Sequence, residues 1–238
     1  MPQFLLYALF GSVLIVLCSF LSAHADRYID FCIATGLSIF ALAGGLLLWP
    51  VTFLHPTTMD WSFYRADLAL GLDPLRLCRW VSSAHWRLSV LTVAYNCIPL
   101  VLAVQYVAER STLLLRACIL GGLLALPFYS LFPAVGPAHA LAGYPSAAIA
   151  LTAVGDAPRN CMPSMHLAWA LLLAWNATSL PFRLFGWVFV GLTVLATIGL
   201  GEHYYIDLIA AVPFSYLVQK LAYRWHRMKQ CSRPAPCV

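Results

Sequence analysis

Arg159-Asn-Cys-Met-Pro163-Ser164-Met-His166 runs directly into Leu167-Ala-Trp-Ala-Leu-Leu-Leu-Ala174. A short polar cluster that opens an uninterrupted apolar run marks the start of a buried helix. Pro163 suits the position at or just before a first helical turn, and Ser164 can cap it with its hydroxyl. His166 then lies in that first turn, where backbone N–H groups and the positive dipole end attract an anion such as phosphate. A second cluster, Glu202-His203-Tyr-Tyr-Ile-Asp207, opens another apolar run further along the chain. His203 and Asp207 stand four residues apart, so on a helix they share a face and the carboxylate reaches the imidazole.

The surrounding composition makes these helices membrane helices. Of 238 residues, 62% are hydrophobic and only 10% charged, against about 25% charged in soluble domains. Mean hydropathy is +0.81. Apolar runs at Phe4–Ala23, Phe31–Phe53, Leu88–Ala108, Ala117–Val135, Met165 to about Asn176–Pro181, Leu184–Leu200 and Tyr204–Leu221 approach or exceed the roughly 18–20 residues that cross a bilayer. The expected fold is therefore all-α: a polytopic membrane bundle of about six to seven transmembrane helices. The polar interval 54–87, with Trp61, Trp80 and Trp86 interspersed, is expected to hold a short interfacial helix around Arg65–Leu72. No polar linker divides the chain, which reads as one membrane domain, 1–238, with a catalytic core at about 117–221 and a basic tail at 222–238. Ala23-His24-Ala25 has the look of a signal-peptidase site, but no Lys or Arg precedes the first run, which is read as a retained span. Leu88–Ala108 is expected to be one span, and Pro127 and Pro133 to bend or shorten the next. Pairs such as Gly121-Gly122 and Gly186–Gly191 are expected at close helix contacts.

Seven spans place Asp26–Asp30, Glu109–Arg116, Arg183 and the tail on one side, with nine Lys/Arg and three Asp/Glu. The opposite side carries five Lys/Arg and six Asp/Glu. The positive-inside rule makes the first side cytoplasmic. His166, His203, Asp207, Arg159 and the Phe132–Pro137 turn then converge on the outer side, periplasmic or lumenal. Nucleic acid is excluded as a partner, because no basic, aromatic-interleaved soluble surface exists. Eight cysteines form no CxxC pair and no metal-ligand spacing; those in apolar runs read as buried thiols.

Ionisable groups at membrane depth persist where they pair or line a polar cavity. Asp207, several residues into an apolar run, is hardest to explain as decoration. The other candidates keep plainer alternatives: Arg159 as a solvated loop arginine, Ser164 as a cap, Glu202 as a solvated acid, Tyr204 and Tyr205 as an interfacial belt. His24, His55, His85, His139 and His226 have no partner spacing. Arg65, Arg76, Arg79 and Arg87 are candidate phosphate ligands that the sequence does not rank. Two histidines, one carboxylate and an anion-attracting helix end suit phosphoryl transfer best.

Pro163-Ser164-Met165-His166 followed by His203-Tyr-Tyr-Ile-Asp207 resembles the type 2 phosphatidic acid phosphatase superfamily, membrane-bound and similar to vanadium haloperoxidases, whose second motif reads Pro-Ser-x-His and whose third ends in His-x-x-x-Asp. The similarity covers roughly Ala117–Leu221. The superfamily's first motif, Lys-x6-Arg-Pro, is absent; Tyr129-x-x-Phe132-Pro133-x-x-Gly136-Pro137 stands near its place. Ala196-Thr197 replace the Ser-Arg that precedes the third motif's histidine. Such a pattern looks like the branch of inositol phosphorylceramide synthases and the related sphingomyelin synthases, which transfer a phosphate-bearing headgroup between lipids. The resemblance implies a lipid phosphoester substrate, His203 as the nucleophile that forms a phosphohistidine, Asp207 as its orienting carboxylate and His166 as acid and base. Ser164 and Arg159 would bind phosphate, and no metal or other cofactor is implied. Rival readings are a membrane serine hydrolase acting through Ser164, a metal-dependent hydrolase using His166, His203 and Asp207, and a non-enzymatic lipid transporter or scaffold.

Overall fold

The computed structural model describes residues 48, 50, 51, 54, 57–141 and 158–231. The run Phe4–Ala23, most of Phe31–Phe53, His24, His55, the stretch Ala147–Val154 and residues 232–238 of the basic tail lie outside them. Nine helices are bounded within the described residues, and no strand occurs among them. They are α1 (Asp60–Ala69), α2 (Pro74–Ser82), α3 (His85–Asn96), α4 (Ile98–Glu109), α5 (Thr112–Leu131), α6 (Pro137–Ala140), α7 (Met165–Asn176), α8 (Leu180–Gly199) and α9 (Tyr205–Cys231). By length and composition, α5 and α8 can each cross a membrane, and α3 with α4 form a third candidate span bent by 51°.

The helix at the opening polar cluster is the pillar of the bundle. On α7, Met165, Leu167, Ala168, Ala170 to Ala174 and Asn176 are all buried. A helix apolar on every side must be wrapped by neighbours. Its Met165, Ala168 and Leu172 pack with Leu114, Ala117 and Ala125 of α5 and Phe214, Val218 and Ala222 of α9. Leu167 and Leu171 meet Ile198 of α8 and Leu208 of α9, while Ala170 touches Ile98 and Phe189. The alanines let backbones approach closely. Gly186 of α8 takes this furthest, since a Cβ there would lie 2.8 Å from Ala174 Cα. Gly191, expected at a similar contact, faces open space. The outer faces of α5 and α8 remain apolar, with Leu123, Phe128, Leu131, Leu184, Trp187, Val188 and Leu195 exposed, as suits helices facing lipid.

Several polar groups inside this apolar bundle find partners within it. Thr193 and Thr197 donate to carbonyls one turn back, Phe189 O and Thr193 O, both at 2.8 Å. Asn176 and Gln219 exchange side-chain bonds between α7 and α9. Glu109, at the end of α4, accepts from the N–H groups of Thr178 and Ser179 ahead of α8.

Several boundaries differ from the sequence expectation, each for a local reason. Leu88–Ala108 is not one straight helix: it breaks at Cys97, because Pro99 can donate no bond to Tyr95 O and its ring crowds that carbonyl. The 54–87 interval holds two helices rather than one. Asp73 divides them, accepting from Leu75 N at 2.9 Å ahead of Pro74 at the first position of α2. Helix α5 runs through Pro127 and stops before Pro133. Helix α9 continues ten residues past the expected Leu221, to Cys231.

A small junction joins the ends of α1, α5, α7, α8 and α9. Asp60, 2% exposed, accepts from Val135 N (3.1 Å), Gly136 N (2.9 Å) and the Tyr204 hydroxyl (3.0 Å). Two helical turns along the same helix, Asp67 accepts from Tyr205 N (2.8 Å) and Ile206 N (2.9 Å) at the start of α9. Met59 N donates to Pro133 O, Ala138 N to Gly201 O, and Cys161 N to Ala134 O. Gly136 takes φ +97°, and a Cβ there would collide with Glu202 O. Only glycine meets both conditions.

Two outcomes follow for the purified protein in mixed micelles. Asp60→Ala strands two buried N–H groups and a hydroxyl, which costs about 3 kcal/mol or more and lowers the SDS unfolding midpoint; an unchanged midpoint would contradict the role given to Asp60. Gly136→Ala is expected to lower that midpoint as well. Gly191→Ala, in open space within a helix, is expected to raise stability by about 0.5–1 kcal/mol, so the pair separates the junction from general glycine effects.

Candidate functional site

Four of the five residues singled out from the sequence, Ser164, His166, His203 and Asp207, sit at two neighbouring helix starts. Ser164 is the N-cap of α7, fully buried, with its hydroxyl accepting from Leu167 N at 3.5 Å. This is the capping role read from the sequence. Its own N–H donates to Asp207 O at 3.3 Å, which ties the start of α7 to the first turn of α9. His166, in that first turn of α7, is partly exposed.

His203 does not lie on a helix. It precedes α9, its N–H bonded to Thr197 O at 3.1 Å, and it is 4% exposed. The pairing expected on a helix face is instead made across a helix start, with His203 Nδ1 standing 3.5 Å from Asp207 Oδ2. Asp207 is completely buried. Its Oδ2 also accepts from Tyr204 N at 2.9 Å, the returning bond of a capping box with an aspartate in the third position. Neither His203 Nδ1 nor Asp207 Oδ1 has a hydrogen-bond partner. The two imidazoles meet edge to face with ring centroids 6.0 Å apart. Two motifs separated by about 37 residues are thus brought together.

Arg159 is not a solvated loop arginine. It is 3% exposed, the one buried Lys or Arg among the described residues, and lies two residues before Cys161, which bonds the junction. The other cations are placed differently: Arg65, Arg76 and Arg79 are exposed, while Arg87 donates to Ser83 Oγ and lies over the Trp80 ring, 4.4 Å from its centroid.

Other side chains also depart from their sequence readings. Tyr204 does not belong to an aromatic belt; it is fully buried against Phe63 and bonded to Asp60. His139 stands 3.6 Å from the Glu202 carboxylate, which raises the imidazole's pKa against the opposing effect of burial. His226 Nδ1 lies 2.9 Å from an Arg116 guanidinium nitrogen. Both histidines have partners that spacing alone did not reveal.

Four residues at the site were not singled out as partners of the motifs. Tyr95, at the end of α3, stacks on His166 with centroids 3.8 Å apart and planes 18° from parallel. The break at Cys97 ends α3 beside α7 and puts Tyr95 there; no pattern in sequence announced it. Asp60 and Asp67 are seven residues apart, hence on one face of a helix, which is the signal that could have marked them. Burial pushes the Asp67 carboxyl up to about 6, although the Tyr205 and Ile206 N–H groups favour its charged form. Cys161 stood inside the opening motif. Its Sγ donates to Glu202 O at 3.2 Å, and burial, with Asp207 and Asp60 nearby, raises its pKa and keeps the thiol protonated. Cys161, His203 and Asp207 each offer a ligand atom within 4.8 Å of the others.

No curated protein and no solved structure matches the chain. A family model described as the PAP2 superfamily matches residues 61–221, beginning well before the Ala117 boundary suggested by the motifs and taking in Asp67 of α1 but not Asp60. Covering about two thirds of the 238 residues, from the polar interval through both histidine motifs, that match places the chain in the PAP2 superfamily.

Proposed function

We propose that the chain is an integral membrane enzyme that hydrolyses or transfers a lipid phosphoester through His203, His166 and Asp207, with a phosphohistidine intermediate. Membership of the superfamily suggests phosphatase-type activity. The observation that carries the finer reading is the meeting of two imidazoles from separate helix starts, one of them backed by a fully buried carboxylate.

In the first half-reaction, His203 Nε2 attacks phosphorus and the bond to the lipid oxygen breaks. His166 gives its proton to that leaving oxygen. Asp207 faces Nδ1 and favours the tautomer with its proton there, which keeps the Nε2 lone pair available for attack and stabilises the cationic imidazole that forms. The 3.5 Å approach is of the loose kind that tightens when substrate is bound. In the second half-reaction, His166 removes a proton from water or an acceptor alcohol, whose oxygen attacks phosphorus and frees His203. The amides at the start of α7, with Ser164 and Arg159, stabilise charge on the phosphoryl oxygens. Arg159 supplies the buried positive charge that the missing first motif would otherwise bring. Tyr95, stacked on His166, holds that ring toward His203.

The lipid bilayer is the working environment. With the six to seven spans read from the apolar runs, the charge distribution supports a site at the periplasmic or lumenal face and a cytoplasmic basic tail. The departures at the first and third motifs favour the headgroup-transferring branch, with a sphingolipid as one substrate class.

The test is turnover by the purified protein on a panel of lipid phosphoesters in EDTA, following phosphate release and headgroup transfer. Wild type is expected to turn over without added metal. His203→Ala and His166→Ala are each expected to lose at least about a thousand-fold, and Asp207→Asn about a hundred- to ten-thousand-fold. Wild-type turnover in His203→Ala would overturn the mechanism and favour a hydrolase acting through other residues.

A further inference from the structure

We infer that Cys161, His203 and Asp207 form a binding site for a soft divalent cation such as Zn²⁺, and that its occupation switches the phosphoryl-transfer site off. The cation site rests on geometry alone; its inhibitory consequence rests on the reading of His203 as nucleophile.

The three side chains are 2%, 4% and 0% exposed, and their ligand atoms lie within 4.8 Å of one another. His203 Nδ1 and Asp207 Oδ2 are 3.5 Å apart. Two light-atom ligands on one tetrahedral zinc, each about 2.0–2.1 Å from the metal, are about 3.3 Å apart. The imidazole and carboxylate therefore already stand near a coordination edge, and Cys161 needs only a small approach. Two of the atoms that would bind, or lie beside the binding atoms, are buried without a hydrogen-bond partner: His203 Nδ1 and Asp207 Oδ1. The bound charges also balance. A thiolate and a carboxylate neutralise a divalent ion, which removes most of the penalty of placing charge in a buried site. Thiolate with imidazole selects a soft or borderline metal over Mg²⁺ or Ca²⁺.

Binding displaces the Cys161 thiol proton to solvent, one proton per metal, and the Sγ–metal bond replaces the hydrogen bond to Glu202 O. At His203 the metal takes the Nδ1 lone pair, so the single proton of the neutral ring must sit on Nε2. That is the nitrogen whose lone pair has to attack phosphorus. The metal also occupies the Asp207 carboxylate that orients the ring. Occupation thus removes both the nucleophile and its support while leaving the fold intact.

The test uses the full-length protein in detergent, stripped with EDTA and titrated with Co²⁺ as the spectroscopic stand-in for Zn²⁺. Wild type is expected to bind one equivalent with a near-ultraviolet thiolate-to-cobalt charge-transfer band, and Cys161→Ser to lack that band. In parallel, Zn²⁺ is expected to inhibit wild-type turnover, while Cys161→Ser keeps basal turnover within about three-fold and needs at least about a hundred-fold more Zn²⁺ for the same inhibition. No cobalt band, or a band that persists in Cys161→Ser, overturns the site. A band with no inhibition, or with activation, overturns the switch and leaves the site standing. Because the cobalt titration needs no substrate, failure of the catalytic reading and failure of the metal site are read separately.

Discussion

Backbone N–H groups that end up inside an apolar bundle must find acceptors, and the architecture around both histidine motifs follows from how this chain supplies them. Asp60 and Asp67 project from one face of α1 and accept from five donor groups in two segments, 135–136 and 204–206. Val135 and Gly136 are held at the exit of α5, Tyr204 just before α9, and Tyr205 and Ile206 within its first turn. A buried carboxylate without donors would cost several kcal/mol, so each loop stabilises the aspartate that fixes it. The seven-residue spacing sets how far apart the α5 exit and the α9 start can lie. Gly136 then decides how closely the two loops interlock, because any side chain there would strike the Glu202 carbonyl.

The same acceptors decide which helix end is open to an anion. Helix α9 has its first donors taken by carboxylates, with Asp67 on Tyr205 and Ile206 N–H and Asp207 on Tyr204 N–H. Its positive end is already neutralised, and a phosphate arriving there would meet two negative charges. At α7 the cap is the neutral Ser164 hydroxyl, and the first-turn side chain is an imidazole. Of the two neighbouring helix starts, α7 is the one whose electrostatics favour a phosphoryl group, and α9 is the one that can back a base. The division of roles proposed for His166 and His203 matches what caps each helix. Arg159, buried in the loop leading to α7, adds positive charge on the side where the aspartates are not the caps.

The sequence made part of this legible. Apolar runs bounded by polar clusters marked α5, α7 and α8, because composition alone dictates a helix that must hide its backbone in a nonpolar setting. Ser164 read correctly as a cap because capping depends on the two or three residues around it. His203 and Asp207 read correctly as a pair, but for a partly mistaken reason, since their contact is made across the α9 start rather than along a helix. What stayed illegible was set by distant partners. Tyr95 meets His166 only because Pro99 breaks the span, and a pattern of hydrophobic residues does not show where a broken helix will point. Tyr204 has the composition of a belt residue, and only the Asp60 carboxylate, 144 positions away, turns it inward. His139 and His226 found Glu202 and Arg116 in the same way.

Asp207 shows why structure and chemistry cannot be assigned to separate residues here. Its Oδ2 accepts from the Tyr204 backbone at 2.9 Å and faces His203 Nδ1 at 3.5 Å, so one oxygen both closes the helix start and supports the imidazole. Its backbone carbonyl, meanwhile, receives the Ser164 N–H and joins the two helix starts. A carboxylate on a flexible loop would have to be ordered each time substrate bound; this one is ordered by the fold, since the helix cannot begin correctly without it. His203 is different. Its side chain supports nothing else in the described structure, and Nδ1 makes no hydrogen bond of its own. The fold therefore fixes the proposed orienting carboxylate by two independent bonds, while the buried imidazole is held by its packing against His166 and its approach to Asp207.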